Sequence, residues 1–321
     1  MKEFELIKEF FTAQPVSRKD VAMGIGDDCA LIKSSDDMFI AITTDTLVSG
    51  VHFPEDTPAR AIGHKAVAVN LSDLAAMGAQ PAWISVAITL PEVNEQWLKE
   101  FTAGMFELTE YYNVQLIGGD TTKGPLSITI TAQGTVPANQ ALCRNGAKNG
   151  DYLFVTGDFG DAGLALKAIN GEIELNTADF EAVKSKLDYP SPQVLIAQMI
   201  RDDATSAIDV SDGLLADLNH LCKASTLGVN INVEDIPLSK VMTDNLEPAD
   251  AINLALTSGD DYQLIFTVNA ANKVGIETAM QHANVPFTCI GQMNTSEEIN
   301  LFYEKKPFTV TTRGFEHFSS N

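Results

Sequence analysis

Aspartate is the residue type in this 321-residue chain whose placement points most directly to chemistry. Asp28 follows Gly24-Ile25-Gly26-Asp27, Asp45 closes the run Ile42-Thr43-Thr44, and Asp120 follows Gly118-Gly119 after a short apolar stretch. Asp209 and Asp212 flank a turn in Asp209-Val210-Ser211-Asp212-Gly213. Asp73 lies within Asn70-Leu71-Ser72-Asp73-Leu74, on a helical surface otherwise built from Ala, Val and Leu. A charge among such neighbours is costly unless it is paired or bound to a metal. Any one of these aspartates is explained as a turn former or helix cap, because the side chain bonds its own local backbone. Jointly, carboxylates arriving from separate strand ends and helix starts read as a cation site. Magnesium takes hard oxygen ligands and is usually held by one or two carboxylates together with substrate phosphates. Several aspartates, with Thr43 and Thr44 adding backbone or hydroxyl oxygen, therefore suit two or more Mg2+ ions bridging a polyphosphate. His and Cys are missing from the set, which argues against zinc.

What is absent narrows the chemistry further. No Gly-x-x-x-x-Gly-Lys-Ser/Thr occurs, so phosphate is not cradled by a P-loop. The Asp-Phe-Gly of Gly157-Asp158-Phe159-Gly160 stands without the other protein-kinase motifs. The same stretch reads as a tight strand-to-helix turn rather than a dinucleotide fingerprint, because a lone glycine pattern is weak evidence. A formal charge of −22 repels nucleic acid and anionic membrane over most of the surface. The four cysteines form no CxxC pair and suggest neither a zinc ribbon nor a disulfide framework. No run approaches the ~20 apolar residues of a membrane span, and the N-terminal residues do not read as a signal peptide. A cytoplasmic protein is expected.

The elements that position these aspartates alternate between strand and helix. Phe4, Ile7, Phe10 and Phe11 share one face of a short amphipathic segment. Strands are expected at 30–33 and 39–44, then a helix from the Thr57-Pro58 pair toward Met77 with Gly78 as its stop. A strand at 83–90 precedes a helix whose stripe is Trp97, Phe101, Met105, Leu108 and Tyr112. A short strand at 115–117 should end at Gly118-Gly119-Asp120, and 126–135 alternates as a strand. Residues 136–150 read as a linker. Beyond it, strands are expected at 151–156, 206–210, 229–233, 263–268 and 287–292, with helices at 161–170, 192–201, 213–224 and 271–282. The chain is thus α+β in two domains, 1–137 and 138–321, a length that suits two cores.

In order, Gly24–Ala30, Thr43–Val48, His52-Phe53, Asn70–Gly78, Gly118–Thr122, Asp209–Leu214, Ser258–Tyr262 and Gly314–Phe318 resemble the thiamine-monophosphate kinase family. Several of these blocks also occur in the wider aminoimidazole ribonucleotide synthetase-like superfamily. The resemblance implies a β-rich N-terminal ATP/Mg-binding domain that dimerises through barrel-like packing. It also implies a C-terminal α/β sandwich-like domain that completes the site, and ATP lying across the dimer-linked cleft. It makes Asp28, Thr43, Thr44, Asp45, Asp73, Asp120, Asp209 and Asp212 the metal ligands. Tyr112, Gly119, Asp120, Arg144 and Ser211 become nucleotide contacts, with Asp212, Arg144 and Asp120 in the catalytic roles. His52, Asp260 and Phe315 become the thiamine-phosphate site. Asp stands at 260 where the family often has Glu, and Phe at 315 where it often has Trp or Tyr. A carboxylate still suits a cationic thiazolium, and Phe still offers a ring for stacking.

The implied reaction moves the γ-phosphoryl of ATP onto the phosphate of thiamine monophosphate. The second pKa of a phosphate monoester is ~6, so the nucleophile is largely ionised and needs no strong base. Repulsion between polyanions is the obstacle, and charge neutralisation with positioning is the remedy. Two alternatives stay open: another ATP-using enzyme of the superfamily, and a non-enzymatic acidic cation-binding protein. Cys29 after the Asp pair argues against a selenophosphate synthetase, and the C-terminal Ser-Ser-Asn against a hydrogenase-maturation relative.

Overall fold

The computed structural model describes residues 7–12 and 18–310. The first half contains strands β1 (Val21–Met23), β2 (Ala30–Lys33) and β3 (Met38–Val48), then helix α1 (Ala59–Ala76) and strand β4 (Gln80–Leu90). Helix α2 (Glu95–Tyr111) and strands β5 (Gln115–Lys123) and β6 (Ser127–Pro137) complete it. The strands form one sheet in the order β1-β2-β3-β6-β4-β5, antiparallel except for the β4–β5 pair that α2 connects. β6 shows how the sequence sets its face. Ile128, Ile130, Ala132 and Val136 are buried, while the residues between them reach the open side.

α1 packs on the inner face of this sheet, and α2 packs along α1. α1 is buried nearly all round, because it packs on the first sheet, on α2 and on the second half of the chain. Its first helical residue is Ala59. Pro58 takes the cap position with ψ 137, one residue later than the Thr57-Pro58 pair predicts. Gly78, at φ +66, ends the helix where expected. Asn94 caps α2 by accepting the N–H of Trp97 at 3.0 Å. The two helices cross at Gly63 and Gly104. A Cβ on Gly63 would overlap the carbonyl oxygen of Phe101, and one on Gly104 that of Arg60.

The second half adds β7 (Tyr152–Thr156), α3 (Asp161–Ile169), α4 (Thr177–Asp188), α5 (Val194–Ile200) and β8 (Ala204–Asp209). It continues with α6 (Leu214–Ser225), β9 (Gly228–Asn232), α7 (Lys240–Asn245), α8 (Pro248–Thr257) and β10 (Leu264–Val268). Helix α9 (Lys273–His282) and strands β11 (Phe287–Asn294), β12 (Ile299–Tyr303) and β13 (Lys306–Pro307) follow. The sheet order is β13-β12-β9-β11-β7-β10-β8, which puts β8 at an edge against α1. The α+β class with two mixed layers is therefore as expected. One apolar core runs from the first sheet through α1 and α5 into one face of the second sheet.

Two local expectations are corrected. β5 does not end at Gly118-Gly119-Asp120 but runs through it to Lys123. Ile117 is the extra residue of a bulge, since Leu116 pairs with Ile84 and Gly118 with Ser85. Gly119 is required there because a Cβ would strike the carbonyl oxygen of Val86. Of the proposed N-terminal apolar face, Phe10 and Phe11 are 60% and 61% exposed, so the described residues do not bury it. Phe4 lies outside the described residues.

Candidate active site

Three carboxylates from three different elements converge where the two halves meet. Asp28 precedes β2, Asp73 sits in the last turns of α1, and Asp209 ends β8. One oxygen from each lies within 4.8 Å of the other two. The supporting hydrogen bonds come from the same elements. Ser72 on α1 donates to Asp209 at 2.7 Å, joining the halves, and the Thr43 hydroxyl donates to Asp73. Asn70 accepts the backbone N–H of Asp45 at 3.2 Å, tying β3 to α1.

The electrostatics describe a site short of positive charge. Burial, then repulsion from Asp28, pushes Asp209 up to about 8, although Ser72 and Arg144 oppose the shift. Burial, Asp28 and Asp212 push Asp45 up to about 6. Asp73 is raised well above the ordinary carboxylate range by burial and by Asp45, Asp209 and Asp28. Arg144 is the cation that faces this cluster. Its Nη2 lies 2.5 Å from Asp28 Oδ1, its Nε 3.8 Å from Asp27 Oδ1, and its backbone N–H donates to Asp27 at 3.1 Å. Burial works against the guanidinium charge, but Asp28 and Asp27 outweigh it and hold the proton more firmly. Asp27 itself is driven up to about 6 by burial and Asp28.

Asp217 organises the loop that carries Ser211 and Asp212. Its Oδ2 accepts the backbone N–H groups of Ser211, Asp212 and Gly213 at 3.0, 3.0 and 3.2 Å. A turn whose successive N–H groups would hold an external anion is thereby filled from within the chain. Burial, Asp212 and Asp209 raise Asp217 well above the ordinary range.

A cavity of about 510 Å³ opens from this cluster. Asp45, Asp73, Asp209, Ser211 and Asp212 line one part of it, and His52, Asp260 and Tyr262 another. Val48 donates its N–H to His52 Nδ1 at 3.0 Å, so the neutral ring carries its proton on Nε2. Asp260 is engaged on both oxygens. Tyr262 donates its hydroxyl to Oδ1 at 2.9 Å, and Lys65 Nζ lies 3.0 Å from Oδ2. Asp261, the neighbour, turns away and accepts the N–H of Gly160 at 3.0 Å, so one of the adjacent pair lines this cavity, as expected, although the pair precedes β10 and the left-handed φ of Asp260, not strand alternation, separates the two side chains.

Other predicted residues stand apart from this cavity. The Thr44 hydroxyl pairs with Thr131 at 2.9 Å on the open side of the sheet, leaving its backbone as the group that could serve a metal. Tyr112 caps α2 and donates its hydroxyl to the Pro192 carbonyl at 2.9 Å. Gly119 and Asp120 lie on edge strand β5. The register aligns Asp120 with Ala87, Thr129 and Thr46, so it projects from the open face while Asp45 faces α1. That row places Asp120 roughly 14 Å, three strand spacings, from β3. Phe315 lies outside the described residues. Sequence reasoning missed Lys65, Ser72 and Asp217. Asp217 carried a signal, an acidic residue in the first turn of a helix just after a Gly turn.

Comparison with known proteins identifies relatives of the entire chain. The family models described as AIR synthase related protein, N-terminal domain, and AIR synthase related protein, C-terminal domain, match residues 26–136 and 148–304. The thiamine-monophosphate kinase of Escherichia coli (strain K12) is 46% identical over 320 residues, covering 99% of this chain and 98% of that protein. The crystal structure of thiamine-monophosphate kinase from Stenotrophomonas maltophilia K279a superposes with a TM-score of 0.80 at 41% identity, covering 93% of this chain and 96% of that one. AaThiL complexed with AMPPCP and TMP superposes with a TM-score of 0.83 at 29% identity, covering 99% and 97%.

Proposed function

Because the chain belongs to the AIR synthase related family and, within it, to the thiamine-monophosphate kinases, we infer that it phosphorylates thiamine monophosphate to thiamine diphosphate with ATP. A relative of the same fold, AaThiL, is complexed with AMPPCP and TMP. The observation that carries the reading to this chain's own residues is the meeting of Asp28, Asp73 and Asp209 at one end of a cavity that His52 and Asp260 also line.

Mg2+ fits this donor set. The converging atoms are all carboxylate oxygens, the hard donors magnesium takes, and burial with mutual repulsion raises Asp45, Asp73 and Asp209, a repulsion that a bound cation would relieve. Asp28, Asp73 and Asp209 would hold metal directly, with Asp45, Asp212 and the Thr43–Thr44 backbone completing the set. Bound there, magnesium would neutralise and orient the phosphates of the donor. The residues of the chain do the rest. Arg144 presents a fixed guanidinium beside the same carboxylates, available to a phosphate once Asp28 is engaged elsewhere. Ser211 lines the cavity between the acidic end and Asp260. The Nε2–H of His52 can donate to the acceptor phosphate. No side chain has to remove a proton, since the acceptor is already an anion.

The open sheet face supports a homodimer. There the Thr44 hydroxyl pairs with that of Thr131 and the Thr46 hydroxyl with that of Thr129, Trp83 is 38% exposed, and Ile117 is 58% exposed. A second copy covering this face would bring β5, with Gly119 and Asp120, to a site it cannot reach within its own chain. Tyr112, whose hydroxyl is taken by Pro192, would meet the nucleotide through its ring. The linker between the two sheets supports domains of 1–137 and 138–321. Among the described residues no helix is long and apolar enough to cross a membrane. Use of ATP as donor implies the cytoplasm.

The test is product identity. Incubated with ATP, Mg2+ and thiamine monophosphate, the protein should yield ADP and thiamine diphosphate in equal amounts by chromatography. Absence of the diphosphate, with turnover of another phosphorylated acceptor, would move the chain to a different activity of the superfamily.

A further inference from the structure

Lys65 belongs to α1 and is 3% exposed. An ammonium so far out of water has to be paired. Its partners are the two residues of the proposed acceptor end: Asp260 Oδ2 at 3.0 Å and the carbonyl oxygen of His52 at 3.4 Å. Lys65, Val69 and Asp73 follow one another at intervals of four along one face of α1, and Val69 and Asp73 both line the cavity. A single rigid helix therefore carries a carboxylate of the acidic end and the cation of the other end, about 12 Å apart along its axis.

The segment that Lys65 grips is strained. Asp260 and Tyr262 have φ of +68° and +49°, a left-handed conformation disfavoured for residues with a Cβ. Gly259 lies so close to the Ser211–Gly213 turn that a Cβ would overlap the Ser211 carbonyl oxygen. Two backbone bonds hold the segment in place: Asp260 N–H to Ser211 O at 2.9 Å, and Tyr262 N–H to Val210 O at 2.8 Å. The Asp260 side chain is then fixed from both sides by Lys65 and Tyr262. A carboxylate already matched by an ammonium is poorly suited to act as the counter-ion of a thiazolium.

We propose that Lys65 is a positioning residue for the acceptor, holding Asp260 and the His52 loop in register with the acidic end, and that Asp260 shapes the acceptor pocket rather than neutralising the acceptor's cationic ring. The proposal rests on the thiamine-phosphate reading, and the two fail differently: if the wild-type protein makes no thiamine diphosphate that reading falls, whereas Lys65 is judged by how variants of an active enzyme differ.

The experiment compares Lys65→Met, Asp260→Asn and the double variant with wild type, measuring KM for thiamine monophosphate and for ATP separately together with Tm. Lys65→Met should raise the acceptor KM about 10-fold while the ATP KM stays within about twofold. The double variant, which buries no unmatched charge, should have a lower acceptor KM than Lys65→Met and remain folded even if that single variant is not. Asp260→Asn should raise the acceptor KM less than Lys65→Met. An unchanged acceptor KM in any folded variant lacking Lys65, with only Tm lowered, would reduce Lys65 to a structural pair and overturn the proposal. So would a rise in both KM values by the same factor.

Discussion

Asp217 is not among the residues that line the cavity, yet its one oxygen holds the three N–H groups that set the Ser211–Gly213 turn. Supporting groups of this kind typically matter by about 10–100-fold in metal affinity. Asp217→Ala should raise the Mg2+ concentration for half-maximal rate by that order, and Asp217→Asn, which keeps an acceptor oxygen, should do so less. Titration of rate against Mg2+ checks both. The same burial gives the metal-free protein a distinctive pH dependence. Asp27, Asp45 and Asp209 have folded-state values raised to about 6, about 6 and about 8, above their ordinary range. The folded state therefore binds these protons more tightly than the unfolded chain does. Their contribution to stability is fully present below about pH 4 and is lost as pH rises through about 6 and then about 8. In chelator, Tm should fall between about pH 5 and about pH 8.5, and Mg2+ should flatten that fall. The carboxylates themselves were legible in the sequence, because Asp at strand ends and inside an apolar helix is conspicuous. Lys65 was not. A lysine in a helix reads as a solvated surface residue until the fold shows that α1 has no solvent side.

α1 is the element on which the site depends, since it carries Asp73, Ser72, Asn70 and Lys65 and touches both sheets. Its approach to α2 is set by Gly63 and Gly104, each packed against backbone of the other helix. Gly63→Ala cannot be absorbed by a side-chain rotation, because the obstructing atom is the Phe101 carbonyl oxygen. It should cost about 1–3 kcal/mol and lower Tm by several degrees in a thermal melt. Turnover should fall as well, since any shift of α1 moves Asp73 relative to Asp209. Periodicity recovered α1, α2 and β6 to within a few residues. It cut β5 short, because Gly-Gly-Asp reads as a strand end unless the close approach of Val86, which demands a glycine, is visible. α4 and α8 both formed in stretches the sequence left unassigned: α4 has little apolar patterning to announce it, whereas the stripe Ala251, Ile252, Ala255 and Leu256 of α8 was a signal that went unread.

The proposed active centre is assembled between the two halves, since Asp28 and Asp73 come from the first and Asp209 from the second, so neither half alone contains the cluster. Among the described residues no helix packs on the open side of the six-stranded sheet, and Asp120 stands on that side, away from the acidic cluster. If the site is completed across a homodimer, mixed dimers of an Asp120→Asn copy and an Asp209→Asn copy should recover roughly a quarter of wild-type activity when neither parent is active, as expected for random pairing with one intact composite site per mixed dimer. An inactive mixture of two inactive parents would place Asp120 in its own chain's site. The α+β class followed from alternation of strand and helix patterns. The joint did not, because pairing of sheets through a shared helix is a long-range outcome that local periodicity does not encode. The measurement that bears most directly on the acidic cluster as the centre of phosphoryl transfer is the rate of thiamine diphosphate formation by Asp209→Asn, whose side chain keeps the shape and the Ser72 contact but loses the charge. A fall of about 100-fold or more with Tm unchanged or raised is expected; turnover near that of the wild-type enzyme at the same Mg2+ would contradict it.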